Sequence, residues 1–178
     1  PSAATATATA ALALVATAAV SLATPLAAQQ PGYPTSWDPS FLDRPDVKAA
    51  LAHLERGFPK QVDEWIHIAQ MPGKSEHEQQ RGAYVRAEME KAGLRVSVDS
   101  IGNVTGVRKG TGGGPTIVFA AHMDIVHSLN TNTTVRRAGD TLHAPGIFDN
   151  SASVANMLAS IRALNAARIV TKGDLVFI

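Results

Sequence analysis

The sequence contains no cysteine, which excludes disulfides and thiolate metal ligands, so any metal must be held by His, Asp or Glu. It also lacks a run of Lys or Arg that could neutralise a row of phosphates, and the net charge is only +1. Nucleic acid is therefore not expected as a partner. With 178 residues, 45% hydrophobic and 17% charged, the chain is long enough for one globular domain or part of one.

Hydrophobic residues are concentrated near the N-terminus, but their run is shorter than the roughly 20 apolar residues that a membrane span needs. The segment from Ala10 to Val20 is rich in Ala, Leu and Val, and small residues continue to Ala28. We interpret residues 1–28 as a signal peptide, which predicts a periplasmic or secreted protein. The alternative is an Ala/Thr-rich disordered tail. No stable membrane anchor is expected, because a lipid-modified cysteine is also missing.

The rest of the chain divides into a linker and an α/β region. Residues 29–45 are rich in Pro, Gly, Ser and Asp and predict an extended linker, so folded structure is expected from Asp46 onward. Apolar spacing predicts two short helices between Val47 and Ile68 and a third helix over residues 76–92, with Gly93 as its C-cap. Residues 95–99 and 104–108 form a predicted hairpin.

The second half predicts a strand–helix–strand unit. The apolar run at 116–121 and the pattern at 174–178 are typical of central strands buried on both faces. An edge hairpin is predicted around residues 135–142, and a helix begins at Ser151. The glycine-rich loop 110–114 could in principle bind phosphate, but no Gly-Lys-Ser/Thr follows it, which disfavours that interpretation.

Polar residues with metal chemistry follow the first of these strands. His122 and Asp124 are separated by one residue, so their side chains leave extended backbone on the same side. Asp124 can then accept a proton from one imidazole nitrogen while the other nitrogen faces a metal. Asp149 lies on a glycine-containing turn just before the helix at Ser151, where a carboxylate can bridge two cations.

With these residues the sequence resembles the di-zinc metallopeptidases, a family that includes carboxypeptidase G, tripeptidase T, dipeptidases, acetylornithine deacetylase and aminoacylase. The matching segments are SIGNVTG at 100–106, GGPTIVFAAHMDIV at 113–126 and GDTLHAPGIFD at 139–149. The resemblance implies that His122 ligates one zinc, that Asp124 is the catalytic residue that orients this imidazole, and that Asp149 bridges two zinc ions. Cobalt and manganese are alternative metals.

The resemblance also implies a fold and a reaction. The expected fold is part of a three-layer α/β/α sandwich with a mostly parallel central sheet. Because the sequence ends at Ile178 inside an apparent strand, residues 46–178 are interpreted as the N-terminal portion of the catalytic domain, with the C-terminal part missing. The complete protein is expected to hydrolyse amide bonds in small peptides or N-acyl amino acids. The family also commonly carries a second, smaller domain that dimerises. The resemblance therefore implies a homodimer formed through a domain absent from this sequence.

Two positions depart from the family pattern. Asn150 stands where a second acidic residue is common, and Ser153 stands where glycine is usual. The general base and the other metal ligands of the family would follow Ile178. The competing hypothesis is therefore a non-catalytic relative, truncated or degenerate, that binds metal weakly or not at all.

Overall fold

The structure, a computed structural model, describes residues 38–178. The predicted signal peptide at 1–28 and the first part of the predicted linker lie outside the described residues. Within the remainder of that linker, Pro39–Asp43 form a 3-10 helix whose start is capped by Asp38, which accepts a hydrogen bond from the Ser40 amide. A long helix then begins at Pro45, one residue earlier than the predicted start of folded structure.

Three α-helices are present in the described region: α1 Pro45–Gln70, α2 Gln79–Lys91 and α3 Ser151–Ala166. The prediction of two short helices between Val47 and Ile68 is wrong, because α1 is one continuous 26-residue helix with Pro59 inside it. Contacts beyond Pro59 explain this continuity. Gln61 donates a hydrogen bond to Asn156 of α3 at 2.5 Å. Packing against α3 therefore stabilises α1 beyond Pro59, which has no backbone N–H to donate.

Helix α2 begins three residues later than predicted. Glu76 has a positive φ of 72°, which is incompatible with a helix, and its amide donates to the side chain of Glu78. Its C-terminal end agrees with the prediction: α2 ends at Lys91, and Gly93 has the left-handed φ of 82° typical of a C-cap glycine. The amide of Leu94 returns to the carbonyl of Met89, which satisfies one of the last helical acceptors.

The main sheet is mixed rather than mostly parallel. Its strands are β1 Arg95–Val98, β2 Val104–Arg108, β3 Ile117–Phe119 and β6 Leu175–Phe177, in the order β1-β2-β6-β3. The β1–β2 and β2–β6 pairs are antiparallel, and the β3–β6 pair is parallel. The predicted hairpin at β1–β2 and the predicted strand–helix–strand unit β3–α3–β6 are therefore confirmed. The edge hairpin is also present, as β4 Arg136–Ala138 and β5 Thr141–His143.

Strand β3 was expected to be buried on both faces, and this expectation is wrong for the described residues. Ile117, Val118 and Phe119 are each about half exposed, at 49%, 56% and 46%. These side chains are exposed because β3 is the last strand in the order and pairs on one side only. On that side Phe119 stacks on Phe177 of β6, with 5.3 Å between the ring centroids. An apolar run indicates a strand suited to burial, but its neighbours decide how much of it is covered.

One hydrophobic core joins the helices to the sheet. Its buried side chains come from all three helices and from β2 and β6, and include Ile68, Val85, Met89, Val104, Val154, Leu158, Ile161, Leu175 and Phe177. The described residues therefore form a mixed α/β unit, whereas the third layer of the expected sandwich stays a prediction. Of the helices within residues 38–178, none is long and apolar enough to cross a membrane.

A half-buried ion-pair network links the three helices. Arg162 of α3 contacts Glu64 of α1 at 2.6 Å and Glu88 of α2 at 2.7 Å, and Tyr84 donates a hydrogen bond to Glu64 at 2.9 Å. The hydrogen bonds that Arg162 donates to Glu64 raise the pKa of Arg162, and burial together with the hydrogen bond to Glu64 raises the pKa of Tyr84. Glu88 also contacts Lys91 at 3.6 Å, so two positive side chains balance the two glutamates of the network that links the helices.

The glycine-rich loop has a structural role. The amides of Thr111 and Gly112 donate to the carbonyls of Thr171 and Lys172 at 2.9 and 2.8 Å, so two backbone segments lie directly against each other. A Cβ atom on Gly173 would overlap the carbonyl oxygen of Pro115. Glycine is therefore required here for close backbone approach.

Replacement of Gly173 by alanine is expected to destabilise the protein by about 2–3 kcal/mol, because a backbone carbonyl cannot move aside as a side chain can. Gly57→Ala is the matched control, since nothing lies within 4 Å of a Cβ at this position in α1. It should stabilise the helix by about 0.5–1 kcal/mol. Chemical denaturation measures both changes, and equal stability of the two variants would contradict the assigned packing.

Candidate metal centre

The structure brings the three predicted site residues together. His122 and Asp124 follow the carboxyl end of β3, and Asp149 lies on the turn before α3, with a cis peptide bond to Asn150. His122 Nδ1 is 3.0 Å from Asp124 Oδ1, and His122 Nε2 is 3.0 Å from Asp149 Oδ1. One imidazole ring is therefore held between two carboxylates, at the sheet edge where open α/β folds collect their ligands.

Two carboxylate oxygens flank His122, so each ring nitrogen faces an acceptor. When Nδ1 carries a proton and donates it to Asp124, the lone pair of Nε2 faces an oxygen of Asp149, and two acceptors cannot remain 3.0 Å apart unaided. Either a second proton makes the ring an imidazolium, or a metal ion is coordinated by both atoms. Imidazole nitrogen and carboxylate oxygen are donors that zinc accepts, so the chemistry of this pair fits a metal site.

The donor set within residues 38–178 is incomplete. No group of three or more His, Asp or Glu side chains suited to a metal ion occurs in this part of the chain. A zinc site requires three or four protein ligands. The pair is also open to solvent, because the side chain of His122 is 55% exposed and that of Asp149 is 81% exposed. His122 and Asp149 could thus supply two of these ligands on an accessible surface.

Asp124 has a second partner that sequence reasoning missed. Ser75 donates a hydrogen bond to Asp124 Oδ2 at 2.5 Å. This bond, and to a lesser degree the one to His122, holds the pKa of Asp124 below its ordinary value against the opposing effect of partial burial. Ser75 directly precedes the helix predicted over residues 76–92. No sequence signal linked it to a strand end so far along the chain.

A buried arginine was also missed. Arg81 is only 1% exposed, and its guanidinium donates to the carbonyl oxygens of Ala69, Met71 and Met123 at 3.3, 3.1 and 2.8 Å. Burial lowers the pKa of Arg81, while the charges of Asp124 and Glu78 oppose that effect. The available signal was its register, because Arg81 shares one face of α2 with the buried Val85 and Met89.

Arg81 connects both halves of the site. Arg81 donates to the carbonyl of Met123, which lies between His122 and Asp124. The Nη1 atom of Arg81 is also 3.4 Å from Ser151 Oγ at the start of α3. Ser151 in turn donates to the carbonyl of Gly146 at 2.7 Å. The strand end that carries His122 and the turn that carries Asp149 are thus fastened to the same guanidinium.

The turn before α3 is held from two further sides. Trp65 of α1 donates its indole N–H to the carbonyl of Ile147 at 2.5 Å. Gly146 has a φ of 68°, and a Cβ on this residue would press against Ile125. Glycine at position 146 therefore allows a close approach of the turn to the side chain of Ile125. This contact places the turn that carries Asp149 against Ile125, the residue after Asp124.

An open groove of about 850 Å³ lies beside His122 and Asp124. Its walls come from α2, the β1–β2 hairpin and the segment after β3, and include Gln79, Arg86, Ile101, Asn103 and Ala121. The groove is large enough for a small ligand. It places that ligand next to the imidazole that the two carboxylates hold.

The described sheet is partly parallel, and His122, Asp124 and Asp149 lie at the carboxyl edge, where open α/β folds place their ligands. Residues 118–178 match the sequence profile of peptidase family M20/M25/M40. The resemblance inferred from the sequence is therefore confirmed, and these residues include all three predicted site residues.

Two curated relatives share this similarity. The chain is 30% identical over 107 residues to a putative LysW-lysine/LysW-ornithine hydrolase of Pyrococcus abyssi. The aligned region covers 60% of this chain and 29% of the relative. The chain is 36% identical over 109 residues to the LysW-lysine hydrolase of Deinococcus radiodurans, which covers 58% and 29%. The chain thus spans under a third of the length of these relatives.

Solved structures share the fold. The aminopeptidase PepT of Bacillus cereus matches with a TM-score of 0.59 and 23% identity, over 67% of this chain and 35% of that one. Human carnosine dipeptidase 1 matches with a TM-score of 0.60 and 14% identity, over 73% and 33%. At these identities the likeness concerns the fold of the described region.

Replacement of Arg81 by methionine is expected to destabilise the protein by about 3 kcal/mol, because several buried carbonyl oxygens lose their donor. The control is Arg86→Met on the same helix, which removes only an exposed ion pair to Glu90 and should cost less than about 0.5 kcal/mol. Urea unfolding followed by circular dichroism measures both. A loss for Arg81→Met no larger than that of the control would contradict the central position of this side chain.

Proposed function

We propose that the complete protein is a zinc-dependent hydrolase of amide bonds in small peptides or N-acyl amino acids. The observation that carries this proposal is the imidazole of His122 held between Asp124 and Asp149, within the residues that match the peptidase family. Family membership of the matched segment supports hydrolysis in general. The metal and the bond cleaved are inferences from the site.

In this proposal His122 Nε2 and an oxygen of Asp149 hold metal, and the second oxygen of Asp149 is available to a second ion. Two bound ions would supply a water of lowered pKa and polarise the scissile carbonyl. Cobalt and manganese are alternatives, because they accept the same nitrogen and oxygen donors. Asp124 keeps the proton on Nδ1, which leaves Nε2 free to bind. The family resemblance assigns the general base and the remaining ligands to residues outside this sequence.

The proposed substrate class rests on two supports. The curated relatives are named as hydrolases of LysW-lysine and LysW-ornithine, and the similar solved structures are named as an aminopeptidase and a dipeptidase. Both groups of names concern compounds of amino acids. The groove beside His122 has a volume of about 850 Å³, which suits a small peptide or an acylated amino acid.

The complete fold is proposed to be the three-layer α/β/α sandwich. Strand β3 supports this extension, because its apolar side chains are half exposed and its sequence is that of a strand suited to burial. Further strands and helices of the complete protein would cover it. A separate domain would form a homodimer. The competing hypothesis of a non-catalytic relative is motivated by departures from the family pattern such as Asn150. The short distances among the three site residues favour the hydrolase.

Replacement of His122 or Asp149 by alanine in the full-length protein is expected to reduce hydrolysis by at least about a thousand-fold, since metal catalysis contributes several kcal/mol. Bound zinc, measured by atomic emission, should fall in parallel. His53→Ala is the control, because His53 lies on α1 and lines a separate cavity between the helices. Full activity of Asp149→Ala would refute the bridging role.

We also propose that the protein is exported, on the basis of the Ala/Leu/Val segment that ends at Ala28. Expression of the full-length gene in a Gram-negative host should place the mature protein in the periplasmic fraction, with its N-terminus near Gln29. Deletion of residues 10–20 should leave it in the cytoplasm. An uncleaved N-terminus in the cytoplasmic fraction would instead support the disordered tail.

A further inference from the structure

We propose that Ser75 is a positioning residue for the metal centre: its hydroxyl holds the carboxylate of Asp124 in the orientation that directs His122 Nε2 toward Asp149 and the metal. This inference rests on the proposed function, in which His122 and Asp149 are ligands. It adds a residue from a separate part of the chain, between α1 and α2, to a site otherwise built from residues 122–149.

Ser75 reaches the site through backbone pairing. The segment after α1 runs beside the segment after β3: the amide of Ile125 donates to the carbonyl of Gly73 at 2.6 Å, and Lys74 forms a parallel bridge with Ile125. Residues on either side of this bridge are thereby set next to each other. In a parallel bridge Ser75 stands opposite Val126 and Asp124 stands opposite Gly73, so Ser75 and Asp124 are diagonal neighbours across the bridge. Their side chains are joined by the hydrogen bond from Ser75 Oγ to Asp124 Oδ2.

The hydrogen bonds form a chain with a defined direction. Ser75 donates to Asp124 Oδ2 at 2.5 Å, a length typical of a hydroxyl bound to an ionised carboxylate. The other oxygen, Oδ1, is 3.0 Å from Nδ1 of His122. Because both oxygens of Asp124 are engaged, its plane cannot rotate freely, and the orientation of the imidazole follows from it. The ring then carries its proton on Nδ1 and presents the lone pair of Nε2.

Arg81 cannot replace Ser75 in this role. Its guanidinium donates to the backbone carbonyls of Ala69, Met71 and Met123, and its charge acts on Asp124 without a hydrogen bond to the carboxylate. Arg81 therefore holds the backbone between His122 and Asp124, whereas Ser75 holds the side chain. These two functions separate experimentally, because loss of the first lowers stability and loss of the second lowers metal affinity.

The test measures metal binding by the full-length protein, with zinc titrated in competition with a chromophoric chelator. Ser75→Ala is expected to raise the zinc dissociation constant about tenfold or more, the usual effect of removing a group that supports a metal ligand. Ser75→Thr retains the hydroxyl and should restore the wild-type value. Ser160→Ala is the matched control, since this serine donates to the carbonyl of Asn156 on the exposed face of α3. Thermal unfolding should be unchanged in all three variants.

A double-mutant cycle tests whether Ser75 acts through Asp124. Asp124→Asn alone should also weaken zinc binding. If the serine acts only by orienting this carboxylate, adding Ser75→Ala to the Asp124→Asn protein should change the dissociation constant by less than about twofold, the limit within which independent effects are resolved. A full further tenfold loss in the double variant would overturn the proposal.

The remaining outcomes are equally distinct. Zinc affinity of Ser75→Ala equal to that of the wild type would overturn the role of Ser75 and leave the proposed function intact. Equal weakening by Ser75→Ala and Ser75→Thr would also overturn it, because the hydroxyl would then be irrelevant. Failure of the wild-type full-length protein to bind any divalent metal would overturn the proposed function and this inference together.

Discussion

The guanidinium of Arg81 is the contact on which the site depends most. It is a nearly fully buried positive charge, and it satisfies carbonyl oxygens at the end of α1 and beside Asp124 while also contacting the first residue of α3. Desolvation of such a charge is costly, so it persists only where many acceptors converge on it. Three segments distant in the chain must therefore adopt their positions together, which couples the fold to the geometry of the site.

Around this rigid centre the chemical groups are open to solvent. The imidazole of His122 lies between two carboxylates, and its Nε2 faces an oxygen of Asp149. The buried contacts beneath these exposed side chains hold their backbone in position. A groove lined in part by His122 and Asp124 lies beside them.

Local patterns predicted the elements well wherever neighbouring residues decide them. The hairpin β1–β2, the C-cap at Gly93 and the helix from Ser151 depend on turn chemistry and on apolar spacing, which a sequence displays directly. Prediction failed at Pro59, where contacts with α3 keep α1 continuous, and at β3, whose exposure depends on which strands lie beside it. Both errors arise because tertiary contacts override local preference.

For the site, the residue types and spacing of His122, Asp124 and Asp149 were sufficient to predict where these side chains lie, since alternation along a strand and placement before a helix are local properties. Their roles as ligands come from the family resemblance and stay a prediction. The contributions of Ser75 and Arg81 were decided only by the tertiary structure. Each acts on a segment more than forty residues away in the chain, as in the Ser75–Asp124 and Arg81–Met123 hydrogen bonds, which are separated by 49 and 42 residues. No periodicity or motif encodes such a pairing, because it exists only once backbone bridging and burial have brought the segments into contact.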